Sequence, residues 1–74
     1  VASQDLTIKL LRRSINKPVI VKVKGGRVIR GVLVGYDNHL NLLLKDAEWV
    51  DSDNPKLIGS ILLRGDNVIL ISPS

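Results

Sequence analysis

Apolar residues recur at two spacings along the chain, and the change falls at Pro18. Before it, Leu6, Ile8, Leu10, Leu11 and Ile15 fall roughly on one side of a helix drawn over residues 5–15. Asp5 can cap its start or pair with Lys9 one turn on. Asn16 and Pro18 end it. A helix this short is marginal alone, so its apolar side must dock on something. After Pro18 the period drops to two. Val19, Val21 and Val23 alternate with Ile20, Lys22 and Lys24, which predicts a first strand over 19–24. Gly25-Gly26 then reads as a two-residue hairpin turn, since such a turn needs positive φ at both positions. Arg27–Tyr36 reads as a second strand, with glycines at 31 and 35 that predict strong curvature.

Residues 37–41 are polar around one leucine and read as a loop. Leu42–Val50 reads as a third strand, with Leu42 and Leu44 opposite Leu43, Ala47 and Trp49. Asp51–Lys56 is a turn cluster. Leu57–Arg64 is a fourth strand, 65–67 a tight turn and Val68–Ser72 a fifth strand. A helix followed by five strands on short connections predicts an all-β class, one domain over 1–74. Its architecture is a small, strongly bent antiparallel barrel with an N-terminal α-helix. An OB-fold and an SH3-like barrel both fit that order.

Composition narrows this further. A chain of 74 residues buries only about 60% of the surface that its unfolded form exposes. Folds of this size usually need a staple. Cysteine is absent, which excludes disulfides, and with one histidine a zinc site is disfavoured, so no metal or cofactor is expected. Oligomerisation remains. Phe and Met are also absent, so the core must be aliphatic. Of the two aromatics, Tyr36 reads as a core or interface residue. No apolar run approaches a membrane span and no leader is predicted, so cytoplasm is the expected compartment.

The net charge of +4 is unevenly spread. Residues 1–30 hold eight bases and one acid, whereas residues 31–74 hold three bases and six acids. A basic half on a small domain points to a polyanion or a charged surface as partner. Catalytic readings find no footing. The serines have only His39 as a base, and none sits in a nucleophile-elbow context. Phosphate-loop and dinucleotide fingerprints are missing. Asp51 and Asp53 read as turn formers. Arg64-Gly65-Asp66 spells an adhesion tripeptide short enough to arise by chance. What stands out is a pair of polar clusters at the ends of apolar strands: residues 36–41 (YDNHLN) and 64–68 (RGDNV).

These clusters carry a family resemblance. GGRVIRGVLVGYDNHLNLLL (Gly25–Leu44) resembles the first signature of Sm and Sm-like proteins, within a motif over about 19–49. ILLRGDNVILI (Ile61–Ile71) resembles the second, within about 57–72. The short spacer is similar to that of archaeal members, and Arg64-Gly65-Asp66-Asn67 departs from the bacterial second signature. The resemblance implies the helix-plus-barrel Sm fold. It also implies a homo-oligomeric ring, usually a heptamer, formed by pairing strand four of one subunit with strand five of the next. Residues 57–64 and 68–71 carry no proline or inward charge that would blunt an edge. It implies binding of single-stranded U-rich RNA at the pore, in RNA processing, stability or ribonucleoprotein assembly, and no enzymatic activity.

Carried onto matching positions, the implied RNA-binding residues are Asp37, His39, Asn41, Arg64, Gly65 and Asp66. His39 and Arg64 would sandwich a base and Asn41 would read it. Asp37 would pin the Asn41 amide, the Gly65 N–H would approach the base, and Asp66 would orient His39 or reach ribose. Arg12, Arg13, Lys22, Lys24 and Arg27, on the outside of the barrel, would attract phosphates diffusely. A ring scaffold with protein partners and no base pocket is the alternative, and an OB or SH3-like module working as a monomer is another.

Overall fold

The computed structural model describes residues 2–50 and 55–74, with side chains from Ile8 onward. The Asp5 cap and the Leu6 face lie outside the described side chains, and residues 51–54 of the predicted turn lie outside the described residues. Helix α1 spans Ala2–Ser14, starting earlier than its apolar spacing indicates and stopping one residue sooner. Leu11 is wholly buried and docks the helix on the sheet, with Ile15 packed beside it. Asn16 ends the helix in the left-handed conformation (φ 65°), a position that asparagine tolerates better than most residues. Its N–H donates to the Leu33 carbonyl at 2.7 Å, and Leu33 N–H donates to Lys17 at 3.1 Å. The helix exit is thereby stitched to a strand.

The strands are β1 (Pro18–Val23), β2 (Val28–Tyr36), β3 (Leu42–Trp49), β4 (Lys56–Leu63) and β5 (Val68–Pro73). They form one antiparallel sheet in the order β4-β3-β2-β1-β5. The first and last strands are neighbours, so β4 and β5 become the two edges. Val19, Val21 and Val23 of β1 face inward, as their alternation requires. They meet Ile29 and Leu33 of β2 and Leu42, Leu44 and Ala47 of β3 in an aliphatic core. Trp49 and Tyr36 are half-buried and pack against it.

Two local expectations are corrected. Ala47 lies on the same side as Leu42 and Leu44, not with Leu43. The cause is an extra residue in β3. Pairing with β2 passes from Val32↔Lys45 to Arg30↔Glu48, and Asp46 takes φ 52°. One inserted residue inverts the facing of everything beyond it. The first hairpin has a three-residue loop rather than a two-residue turn. Val23 N–H donates to Arg27 at 3.0 Å, and Gly26 N–H donates to Val23 at 3.1 Å. Gly25 and Gly26 do both carry positive φ.

The bend is centred on a line across three strands. A Cβ on Gly31 would stand 3.2 Å from both the Ala47 Cα and the Lys45 carbonyl oxygen. Ala47 in turn pairs with Gly59, whose φ is +96°. Gly35, the other glycine expected to bend β2, has open space around it and sits at a second bulge. Among the described residues, the most exposed large apolar side chains belong to the edges: Leu57 (75%) and Leu62 (68%) on β4, Ile69 (58%) and Leu70 (55%) on β5. Among the described residues no helix is long and apolar enough to cross a membrane.

Candidate nucleic-acid interface

Residues 37–41 close the β2–β3 hairpin. Leu40 N–H donates to the Asp37 carbonyl at 3.1 Å, and Asp37 N–H donates to Asn41 at 3.2 Å. This turn forces Leu40 to φ 62°, a conformation that costs an L-residue roughly 1–2 kcal/mol. Its side chain packs against the core, which holds it there. The Asp37 carboxylate ties the loop together. One oxygen accepts the His39 N–H at 2.8 Å and the Asn41 N–H at 3.1 Å. The other accepts the Asn41 side-chain N–H at 2.9 Å. The Asn41 side chain and then its backbone N–H, with a lesser contribution from His39, hold the Asp37 carboxyl below its usual value against an opposing effect of desolvation.

The second loop approaches from the β4–β5 connection. Arg64 is extended and Gly65–Asn67 form one 3₁₀ turn, closed by Asn67 N–H to the Arg64 carbonyl at 3.0 Å. Gly65 N–H donates to Asn41 Oδ1 at 2.8 Å. The backbones meet so closely that a Cβ on Gly65 would collide with the His39 carbonyl oxygen and stand 3.0 Å from the Leu40 carbonyl carbon.

Both ends of the Asn41 amide are therefore fixed. Turning it over would set its oxygen against the Asp37 carboxylate and its NH₂ against the Gly65 N–H. An amide has two N–H donors and two carbonyl lone pairs, so beyond these bonds Asn41 keeps one of each. With His39, Arg64 and Asp66 it lines an open depression of about 370 Å³. Four of the six predicted residues thus share one surface, while Asp37 and Gly65 stand behind Asn41 and hold it.

Two roles differ from expectation. The Gly65 N–H is given to Asn41, so the absent side chain serves the contact between loops. Asp66 engages Arg64, with guanidinium and carboxylate 3.7 Å apart and both largely exposed, rather than His39. That pair also folds the Arg-Gly-Asp tripeptide onto itself. Sequence reasoning missed a third point. The first hairpin is adjacent to this site, because Lys24 N–H donates to the Asn67 carbonyl at 2.9 Å. The link depends on β1 pairing with β5, which no local pattern announces. Arg27 of the same hairpin stacks on Trp49, 3.7 Å from the ring centroid.

Known proteins share this sequence and shape. The LSM domain family matches residues 9–73. An snRNP Sm-like protein of Archaeoglobus fulgidus is 47% identical over 68 residues, covering 90% of this chain and 88% of its own. A crystal structure of a heptameric archaeal Sm protein superposes with a TM-score of 0.85 at 44% identity, covering 89% of this chain and 97% of that one. The Pyrococcus abyssi Sm protein, solved in complex with a uridine heptamer, gives 0.84 at 46% identity, covering 90% and 96%. In its sequence signatures, its strand order and its paired loops alike, the chain belongs to the Sm-like (LSM domain) family.

Proposed function

We propose that this protein assembles into a homo-oligomeric ring and binds single-stranded U-rich RNA, one base per subunit, at the depression between residues 37–41 and 64–67. The observation that carries the reading is the doubly anchored Asn41 amide. Its remaining carbonyl lone pair accepts from uracil N3–H, and its remaining N–H donates to O4. Cytosine presents the reverse order, an acceptor at N3 and a donor at C4, so it meets like against like. A freely turning amide would serve both bases. Asp37 and Gly65 remove that freedom, and discrimination becomes a property of the two groups behind the reader.

The flat faces of His39 and Arg64 supply stacking, worth roughly 1–3 kcal/mol per base and indifferent to sequence. Repeated pockets on one strand raise its effective concentration. The ring is supported by the unpaired β4 and β5 edges with their exposed Leu57, Leu62, Ile69 and Leu70, and by the heptameric relative. The same reading makes the protein a binding component of cytoplasmic RNA processing, RNA stability or ribonucleoprotein assembly rather than an enzyme. Native mass spectrometry with oligo-U and oligo-C of equal length tests it. A seven-subunit species that retains oligo-U and releases oligo-C is expected. A monomer, or equal retention of both, overturns it.

A further inference from the structure

The Gly65–Asn67 turn touches two things. At one end Gly65 N–H holds the Asn41 amide, and at the other the Asn67 carbonyl holds the backbone of Lys24. Gly65 and Asn67 are two 3₁₀ rises of about 2 Å each apart, so the turn holds the Lys24 backbone beside the loop that holds Asn41. Lys22 is exposed on the outward side of β1 between the buried Val21 and Val23, and Lys24 is exposed where the hairpin loop begins. The hairpin tip beyond them is bare, since a Cβ on Gly25 or Gly26 would meet nothing within 4 Å. A backbone polyanion can lie along that strip without a steric neighbour.

Arg30, paired with Ile20, shares the outward side with Lys22, whereas Arg27 and Arg13 are placed differently. Arg27 lies over Trp49. Arg13 borders a cleft with Lys17, Pro18 and Pro73, at the end of β5 away from Asn67. Six residues of strand set those two ends about 17 Å apart.

We infer that Lys24, with Lys22 behind it on the strand, is a phosphate site for the nucleotide whose base sits at Asn41. The inference rests on the RNA-binding reading above. It replaces a diffuse basic surface with one defined path, in which position is fixed by Lys24 and Lys22 and base identity by Asn41.

The test is binding of fluorescent oligo-U and oligo-C to the assembled protein across about 50–200 mM salt. Wild type is compared with Lys24→Gln, the Lys22→Gln/Lys24→Gln pair and Arg13→Gln. Glutamine removes charge but leaves the Lys24 backbone bond intact. Each lost phosphate contact makes the slope of log affinity against log salt shallower by about 0.7 for single strands. The Lys24→Gln slope should become shallower by that amount per subunit touched, and further in the pair. The preference for U over C should stay unchanged, as should the Arg13→Gln slope. An unmoved slope in Lys24→Gln, or an equal change in Arg13→Gln, overturns the phosphate site while the base pocket stands. A shallower Lys24→Gln slope on a protein that does not distinguish U from C keeps the phosphate site and overturns the base-reading.

Discussion

Replacing Gly65 by alanine tests the junction of the two loops with a single methyl group. The added Cβ meets a backbone carbonyl of His39, with the Leu40 carbonyl carbon at 3.0 Å and that of His39 at 3.1 Å. None of these is a side-chain tip that could swing away, so one loop must retreat. Overpacking of this kind costs roughly 1–3 kcal/mol. Retreat also lengthens the 2.8 Å bond from Gly65 N–H to Asn41, which adds about 1 kcal/mol. The sum, about 2–4 kcal/mol, is a large share of the roughly 4–11 kcal/mol expected for a chain of this length. At about 4–8 °C per kcal/mol, the melting temperature should fall by roughly 10–30 °C. The preference for oligo-U over oligo-C should collapse with it, because Asn41 loses one of its two anchors. Gly35→Ala is the matched control. It lies on β2, with open space around it, and should stay within about 0.5 kcal/mol of wild type. Thermal unfolding and competition binding on the three proteins read both quantities. If Gly65→Ala matches Gly35→Ala in melting temperature and base preference, the loops do not meet as described.

The Asp37 carboxyl is depressed in the folded protein, so its hold on Asn41 is present above the ordinary carboxylate pKa and is lost as pH falls through the lower folded value. The Asn41 side-chain amide signals in NMR should therefore be steady from neutral pH down to about pH 4 and move only below it, whereas a shift centred near neutrality would break the link. On the sheet edge, Leu62→Asp changes an exposed residue, so the subunit itself should lose no more than about 0.5 kcal/mol. The assembly should nevertheless fall to smaller species in native mass spectrometry, and an unchanged ring mass would remove β4 from the seam.

Much of this was legible in the chain, and the failures have definite causes. The alternation of Val19, Val21 and Val23 fixed the facing of β1, because one buried face leaves a strand little choice. Asn16 and Pro18 marked the helix end correctly. The facing of Ala47 was lost to an extra residue at Asp46, since a bulge has no signature beyond the register it breaks. Gly59 passed unnoticed although its φ is +96°, while Gly35, read as a point of curvature, sits at a bulge with open space around it. At the site, the family resemblance singled out six positions, and contacts between segments far apart in sequence set four of them on one depression and two against Asn41. Asn41 meets Gly65 across 24 positions, and Lys24 meets Asn67 only because β5 returns to β1.

The strand order leaves two edges that differ from one another, β4 at one end of the sheet and β5 at the other. A contact between unlike edges is head-to-tail, and repeating it by rotation gives every subunit the same sense around the axis. No two base depressions in such a ring face each other as mirror or two-fold mates. A strand following such a ring meets the same loop first at every subunit, so its two chemical directions are inequivalent to the ring. In the proposed ring, RNA binding would carry a polarity, and that polarity is built into a single sheet before any partner is present.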